Sequence, residues 1–396
     1  MAYPPFQRIA VKTPAEAEAR LRELGMLAPA PDGQPWWVTD AAYVIDAALV
    51  ERVFTAATGI QQRCYAAVEA LVSSGDYNYF GIANPAMQTA ITQSWRAKDS
   101  PLYGRMDFSF APDGTPMLLD YEADSPFGLA EASYVQWEWF EAWQEANRAS
   151  RDSQENLIYE KLTAHLPRTG LPHRFAIACG GETMVNGNPA DTGERFDAEY
   201  LAEIARELGM RPSICSMEQI GWDLDAQCFV DAADEPLQAM IKIYPWDWME
   251  DEPNVDVLPR CRTRILPGAW TRLMADKTMM ALLWHMTPGA PNLLPTFLER
   301  PAQPGGPLVA KPRRGWDGEH VTLPGQTPGE VPEAAMGPLL YQAHCPLPVF
   351  DAGRGQVHAN LSVWIVGGEP AGIAFRESSG PVTGPAARFV PHILRG

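Results

Sequence analysis

Positive charge is scarce in this 396-residue sequence: 31 lysines and arginines stand against 49 aspartates and glutamates, for a formal net charge of −18. That balance argues against nucleic acid or an anionic membrane as a partner, while leaving room for a local basic pocket. Paired cysteines are missing as well. Cys64, Cys179, Cys215, Cys228, Cys261 and Cys345 are scattered without a CxxC pair, mostly in apolar contexts, which favours buried free thiols over a disulfide framework. No apolar run reaches the roughly 18 residues of a membrane span. The start, MAYPPFQRIAVKTPAE, lacks the apolar segment of a signal peptide, so a cytoplasmic location is the expectation. Internal repeats and long low-complexity stretches are also lacking. At 46% hydrophobic residues, what remains is globular protein with enough chain for two or three cored domains.

Periodicity supplies the elements. Between Asp46 and Ser74 the residues Val50, Val53, Phe54, Ala57, Ile60, Cys64, Val68 and Leu71 fall on one helical stripe. Asn84 and Pro85 open a second helix as N-cap and first-turn proline. A helix over Leu129–Asn147 carries Tyr134, Trp137, Phe140 and Trp143, rings expected to pack in a core. A polar, Pro- and Gly-rich stretch ending at Leu171 marks a domain boundary near residue 170. Beyond it the spacing predicts a β-α-β crossover: strand Arg174–Cys179, helix Asp197–Leu208, strand Ser213–Met217. Gly180-Gly181 reads as a turn. Further strands are expected at Gln238–Tyr244, Pro307–Lys311, Glu319–Leu323, Asn360–Val366 and Ala371–Arg376, and a helix near Lys277.

The most chemical segment is a hairpin. Arg105–Phe110 and Met117–Glu122 alternate polar and apolar residues around Asp113-Gly114, a strong two-residue turn signal. With that turn, Asp107 lies opposite Asp120, Arg105 opposite Glu122, and Phe108 opposite Leu119. Met106, Phe108, Phe110, Met117, Leu119 and Tyr121 then form an apolar underside, and Arg105, Asp107, Ser109, Leu118, Asp120 and Glu122 the other face. A one-residue bulge would shift the pairing but keep 105/107 and 120/122 together. Opposed carboxylates repel, so the hairpin is either a solvated edge or a cation site. Carboxylate oxygens without histidine or thiol suit Mg²⁺ rather than zinc, and Mg²⁺ commonly completes its shell with substrate phosphates. Asp107→Asn is expected to remove metal-dependent turnover and leave the fold intact.

On the phosphate side, Lys311 leaves an apolar strand into Pro312-Arg-Arg-Gly-Trp-Asp-Gly318, a nucleotide-like pattern that is not a Walker A sequence. Lys277 is either a surface lysine at a helix start or a phosphate ligand. Arg376 either faces solvent or stabilises a phosphorylated intermediate.

The blocks LYGRMDFSF, PMLLDYEADSPFGLAEA, IKIYPWDWM, DKTMMALLWHMTPGAPNLLP, LVAKPRRGWDGEHV, QAHCPLPVF and GGEPAGIAFRESSGPVTGPAARFVPH occur in an order that resembles the glutathionylspermidine synthase family. Within it, the likeness is to the stand-alone acid–amine ligases, over essentially residues 36–396. The resemblance implies an α/β (α+β) fold of the ATP-grasp type with a pre-ATP-grasp β-α-β domain. Its parts would be a lead-in over 1–35, a catalytic region with the metal hairpin over 36–170, the β-α-β domain over 171–262, and an ATP-binding part over 263–396. A hydrolytic amidase half, present in bifunctional relatives, is not expected. ATP and Mg²⁺ are the implied cofactors: Asp107, Asp120 and Glu122 match metal positions, Lys277, Lys311, Gly315, Gly318 and Gln342 nucleotide positions, and Arg105 and Arg376 positions at the reacting centre. Two departures stand out. Asp120 occupies a position commonly glutamate and Glu122 one usually asparagine, and the loop has Trp-Asp where relatives have Arg-Glu.

The implied reaction is ATP-dependent amide formation between a small peptide or amino acid and an amine, a polyamine being one candidate, through an acyl phosphate. The rivals are an ATP-binding regulator or adaptor without ligase chemistry, and a kinase-like activity that stops at phosphorylation.

Overall fold

Asp46 starts the longest helix by accepting a hydrogen bond from the Leu49 amide at 2.7 Å, and Gly75, at φ 71°, ends it in a conformation that costs glycine little. In the computed structural model this helix is Ala47–Ser74; the structure describes all residues except 1–3, 31, 149, 181, 182, 186, 187, 191, 192, 328, 330, 332–335, 354 and 396. Its stripe of Leu49, Val53, Ile60, Cys64 and Val68 packs in one core with Met106, Phe108, Leu118 and Tyr121. Each such side chain contributes about 1.5–3 kcal/mol on burial. The Asn84 cap of helix Pro85–Arg96 is present, with the side chain accepting from the Ala86 amide at 2.8 Å.

That core lies under a six-stranded antiparallel sheet. Its strands run in the order Arg388–Val390, Glu369–Ser378, Gln356–Val366, Tyr103–Phe110, Pro116–Glu122, with Val349–Asp351 also on Gln356–Val366. The first strand of the hairpin is therefore no solvated edge, since Tyr103–Phe110 is interior and buried along its whole length, while Pro116–Glu122 ends the sheet half-buried.

Its register differs from the expectation in two ways that cancel at the site. The turn is a three-residue loop, with the Thr115 carbonyl accepting from the Ala111 amide and Gly114 left-handed at φ 84°, the geometry of a type I turn followed by a bulge. This sets Phe110 opposite Pro116 and Phe108 opposite Leu118, not Leu119. A register shift between Asp107 and Phe108 then leaves Leu119 as the extra residue and restores Asp107 opposite Asp120 and Arg105 opposite Glu122. Leu118 consequently sits in the core and Leu119 lines the cavity above, the reverse of the simple alternation.

A three-stranded sheet, Thr296–Phe297, Leu339–Ala343 and Leu308–Pro312, brings Lys311 and Gln342 toward the hairpin. The expected strand Glu319–Leu323 is reduced to a single bridge between Thr322 and Ala310. The expected β-α-β crossover is present with earlier bounds: parallel strands Arg174–Cys179 and Arg211–Ser216 flank helix Gly193–Glu207 in a four-stranded sheet. Ala239–Ile243 and Arg264–Leu266 complete that sheet in parallel. The aromatic helix contains a π turn, Glu131–Val135, near its start and continues as Gln136–Ala146. Phe140 is buried, but Trp137 is 43% exposed, so the expected core role fails for that ring. Gly180 donates its amide to Glu194 at 3.0 Å; Gly181 lies outside the described residues. All six cysteines are free, and among the described residues no helix is long and apolar enough to cross a membrane.

Candidate active site

One cavity lies between the six-stranded and three-stranded sheets, and it gathers every site residue expected from the sequence. Arg105, Asp107, Asp120, Glu122, Lys277, Lys311, Gly315, Gly318, Gln342 and Arg376 all line it.

The hairpin contributes an ionic knot. Arg105 Nη2 lies 3.1 Å from both Asp107 and Glu122, and its Nη1 donates to the Phe127 carbonyl at 2.8 Å. Burial works against the charge on Arg105, but Asp107 and Glu122 outweigh it and raise its pKa. Asp107 is opposed by burial in the same way, yet Arg105 and the Ser362 hydroxyl, which donates at 2.6 Å, hold it below the ordinary carboxylate range. Glu122 goes the other way. Burial and the neighbouring Asp120 and Asp107 push its pKa up despite Arg105.

Lys277 Nζ reaches Asp120 at 3.1 Å and donates to the Gly315 carbonyl at 2.6 Å, tying the hairpin to the loop. Burial opposes its charge, but Asp120 and Glu122 raise its pKa. Lys311 donates to the Leu119 carbonyl at 2.9 Å and to Gln342 Oε1 at 2.7 Å. With no carboxylate that close, burial pulls its pKa down to about 8. The bulge at Leu119 thus has a use: it turns a carbonyl to this lysine. Arg376 meets Asp317 Oδ1 at 3.2 Å and lies 5.7 Å and 5.8 Å from the rings of Phe127 and Phe389.

The two loop glycines differ. A Cβ on Gly318, at φ 67°, would stand 2.4 Å from Val382 and 2.7 Å from the Thr383 carbonyl, so only glycine fits. A Cβ on Gly315 would meet Pro312 and the Glu319 carbonyl only at ordinary contact distance. Its contribution is the carbonyl that holds Lys277.

The carboxylates do not converge as a ready-made cage. Among the described residues no group of three or more His, Cys, Asp or Glu is placed to hold a metal, because Glu122 turns to Arg105 and Asp120 to Lys277. The hard oxygen pair Asp107 and Asp120, directly opposed across the ladder, still fits Mg²⁺, which takes one or two carboxylates and completes its shell with water and phosphate.

A second chamber adjoins the first and shares Arg105, Glu122, Lys277, Gly315 and Asp317 with it. Trp248 and Trp316, in edge contact at 5.1 Å, and the acids Glu194 and Asp247 line it. Burial raises the pKa of both acids, Arg272 offsetting part of the effect on Asp247. In its wall, Asp124 forms a buried ion pair with Lys242 and also accepts from the Trp246 amide at 2.6 Å. The sequence reading missed this pair, although a lysine inside the apolar strand AMIKI signals a hidden counter-charge. It also gave no role to Asn360, Ser362 or Asp317.

A family model described as "Glutathionylspermidine synthase preATP-grasp" matches residues 8–395. A Haemophilus influenzae protein named "Putative acid--amine ligase" is 30% identical over 380 residues, covering 92% of each chain. The glutathionylspermidine synthase of Crithidia fasciculata is 21% identical over 433 residues, and the match spans 89% of this chain but 58% of that one. Among solved structures, a glutathione synthetase-like effector from Globodera pallida superposes with a TM-score of 0.52 at 8% identity, over 89% of each chain, so the ATP-grasp-type fold is shared where sequence is not. The chain belongs to the glutathionylspermidine synthase family of carbon–nitrogen ligases.

Proposed function

We propose that the protein is an ATP- and Mg²⁺-dependent acid–amine ligase that forms an amide through an acyl phosphate. The observation that carries this reading is the single cavity in which four cations, Arg105, Lys277, Lys311 and Arg376, face Asp107 and Asp120 beside a second, acidic and aromatic chamber.

Lys277 and Lys311 supply positive charge for a triphosphate, and Gly318 lets the loop backbone close over it. Asp107 and Asp120 would hold magnesium, which would offset charge on the phosphates during transfer. The acid's carboxylate oxygen attacks the γ-phosphorus and the bond to the β-phosphate oxygen breaks, releasing ADP. Arg105 and Arg376 stabilise the anionic oxygens of the resulting acyl phosphate. The amine nitrogen then attacks the acyl carbon, phosphate leaves, and the nitrogen loses a proton. Asp247, Glu194 and the indole faces of Trp248 and Trp316 suit a cationic amine, in keeping with a polyamine. The acid is a small peptide or amino acid.

Incubation with ATP, Mg²⁺ and pooled peptides and polyamines tests the reading. ADP release that needs both an acid and an amine, together with a product of the summed mass less water, is expected. ADP without an amide would instead indicate a kinase-like activity, and tight ATP binding with no stimulated ADP a regulator or adaptor.

A further inference from the structure

Strands Gln356–Val366 and Glu369–Ser378 pair so that Asn360 stands opposite Arg376. Directly opposed residues share a face of the sheet, and both line the nucleotide cavity at 3% exposure each. Asn360 Oδ1 is a buried acceptor with no hydrogen-bond partner among the described residues, and Arg376 Nε is a buried donor in the same condition. The Nη atoms of Arg376 are engaged by Asp317 and the Gly384 carbonyl. A donor and an acceptor on facing residues thus leave each other alone, in a protein interior where such groups are nearly always paired. A ligand that satisfies both offers an acceptor to Arg376 Nε and, beside it, a donor or a cation to Asn360 Oδ1. Magnesium on a polyphosphate has that form.

A second observation points the same way. Strand Gln356–Val366 already reaches the metal side, because Ser362, two residues from Asn360 and on its face, donates to Asp107 at 2.6 Å. We propose that Asn360 is a further magnesium ligand of this chain, its amide oxygen adding a neutral contact to the carboxylates of Asp107 and Asp120, while Arg376 Nε takes the adjoining phosphate oxygen. The assignment rests on the ATP reading above.

Mn²⁺ as a magnetic probe and a non-hydrolysable ATP analogue test it, with thermal melting of the unliganded protein as control. Asn360→Leu, of similar volume, removes a polar group that the free protein leaves unsatisfied. Its unliganded Tm is therefore expected to equal or exceed that of the wild type, while affinity for the metal–nucleotide pair falls fivefold or more. Asn360→Asp, which keeps an oxygen in place, is expected to retain Mn²⁺ binding. Unchanged metal–nucleotide affinity in Asn360→Leu, a lowered Tm that accounts for its loss, or an equal loss in Asn360→Asp would overturn the assignment. A wild-type protein that takes up no metal–nucleotide would overturn the ATP reading itself, and this assignment with it.

Discussion

Asp317 and Arg376 form an ion pair at 3.2 Å in the cavity that also contains Lys277 and Lys311. The aspartate sits in the loop expected over the phosphates, at a left-handed φ of 45°, and its carboxylate covers a cation that a transferred phosphoryl group would need. On the ligase reading, phosphate and the Asp317 carboxylate compete for the Nη atoms of Arg376, only Nε being without a partner among the described residues. Asp317→Asn removes the competitor, and ATP affinity measured by calorimetry is expected to rise severalfold, most visibly at low salt because the Asp317 side chain is partly exposed. Equal or weaker affinity would show that the pair does not compete with phosphate.

For Asp107→Asn, the structure changes what the sequence alone implies. The apolar underside of the hairpin stays intact, but Asp107 is also the partner of buried Arg105. Removing its charge weakens charge-assisted hydrogen bonds worth about 1.5–3 kcal/mol. Metal-dependent turnover should fall by at least about a thousandfold, on the order of 4 kcal/mol of transition-state stabilisation, with Tm several degrees lower. Turnover within tenfold of wild type sinks the metal role of Asp107, and an unchanged Tm sinks the structural one.

These two cases show what sequence could carry. Alternation along Arg105–Phe110 located the charged face, and the residues that line the cavity followed from segments that keep their order along the chain. The pairing of Asp107 with Asp120 came out correctly from a two-residue turn that does not exist, because the three-residue loop and the bulge at Leu119 offset each other. Leu118 and Leu119 expose the error, having exchanged faces. What stayed hidden depends on contacts between distant parts of the chain: Lys242 with Asp124, Ser362 with Asp107, Asp317 with Arg376. No local period encodes such a pair. Trp137 was misjudged for a related reason, since a helical aromatic stripe does not say which of its rings lies beyond the covering layer.

Lys277 joins two elements, so its loss should do more than remove a charge. Lys277→Met keeps much of the stem but frees Asp120 and releases the Gly315 carbonyl. The loop 313–318 should then become more susceptible to limited proteolysis in the unliganded protein, and the KM for ATP should rise by tenfold or more. A raised KM with unaltered proteolysis would leave Lys277 as a phosphate ligand and remove its anchoring role.

The lowered pKa of Lys311 gives a pH signature with two opposite slopes. Burial brings its pKa from 10.5 to about 8 in the unliganded fold, Asp120 offsetting only part of the effect. The folded protein therefore binds fewer protons at this site than the unfolded chain between about pH 8 and 10.5, and this group's contribution to stability rises with pH across that window. Phosphate needs the ammonium form. Nucleotide affinity should be insensitive to this group below about pH 8 and fall as pH rises above it, approaching tenfold per pH unit until the pKa of the complex is reached. Titrating an ATP analogue from pH 6.5 to 9.5 against wild type and Lys311→Arg separates the lysine from other groups, because arginine keeps its charge throughout. Parallel profiles for the two proteins would mean that Lys311 does not titrate on binding; a profile that flattens in Lys311→Arg identifies it as the phosphate-contacting amine.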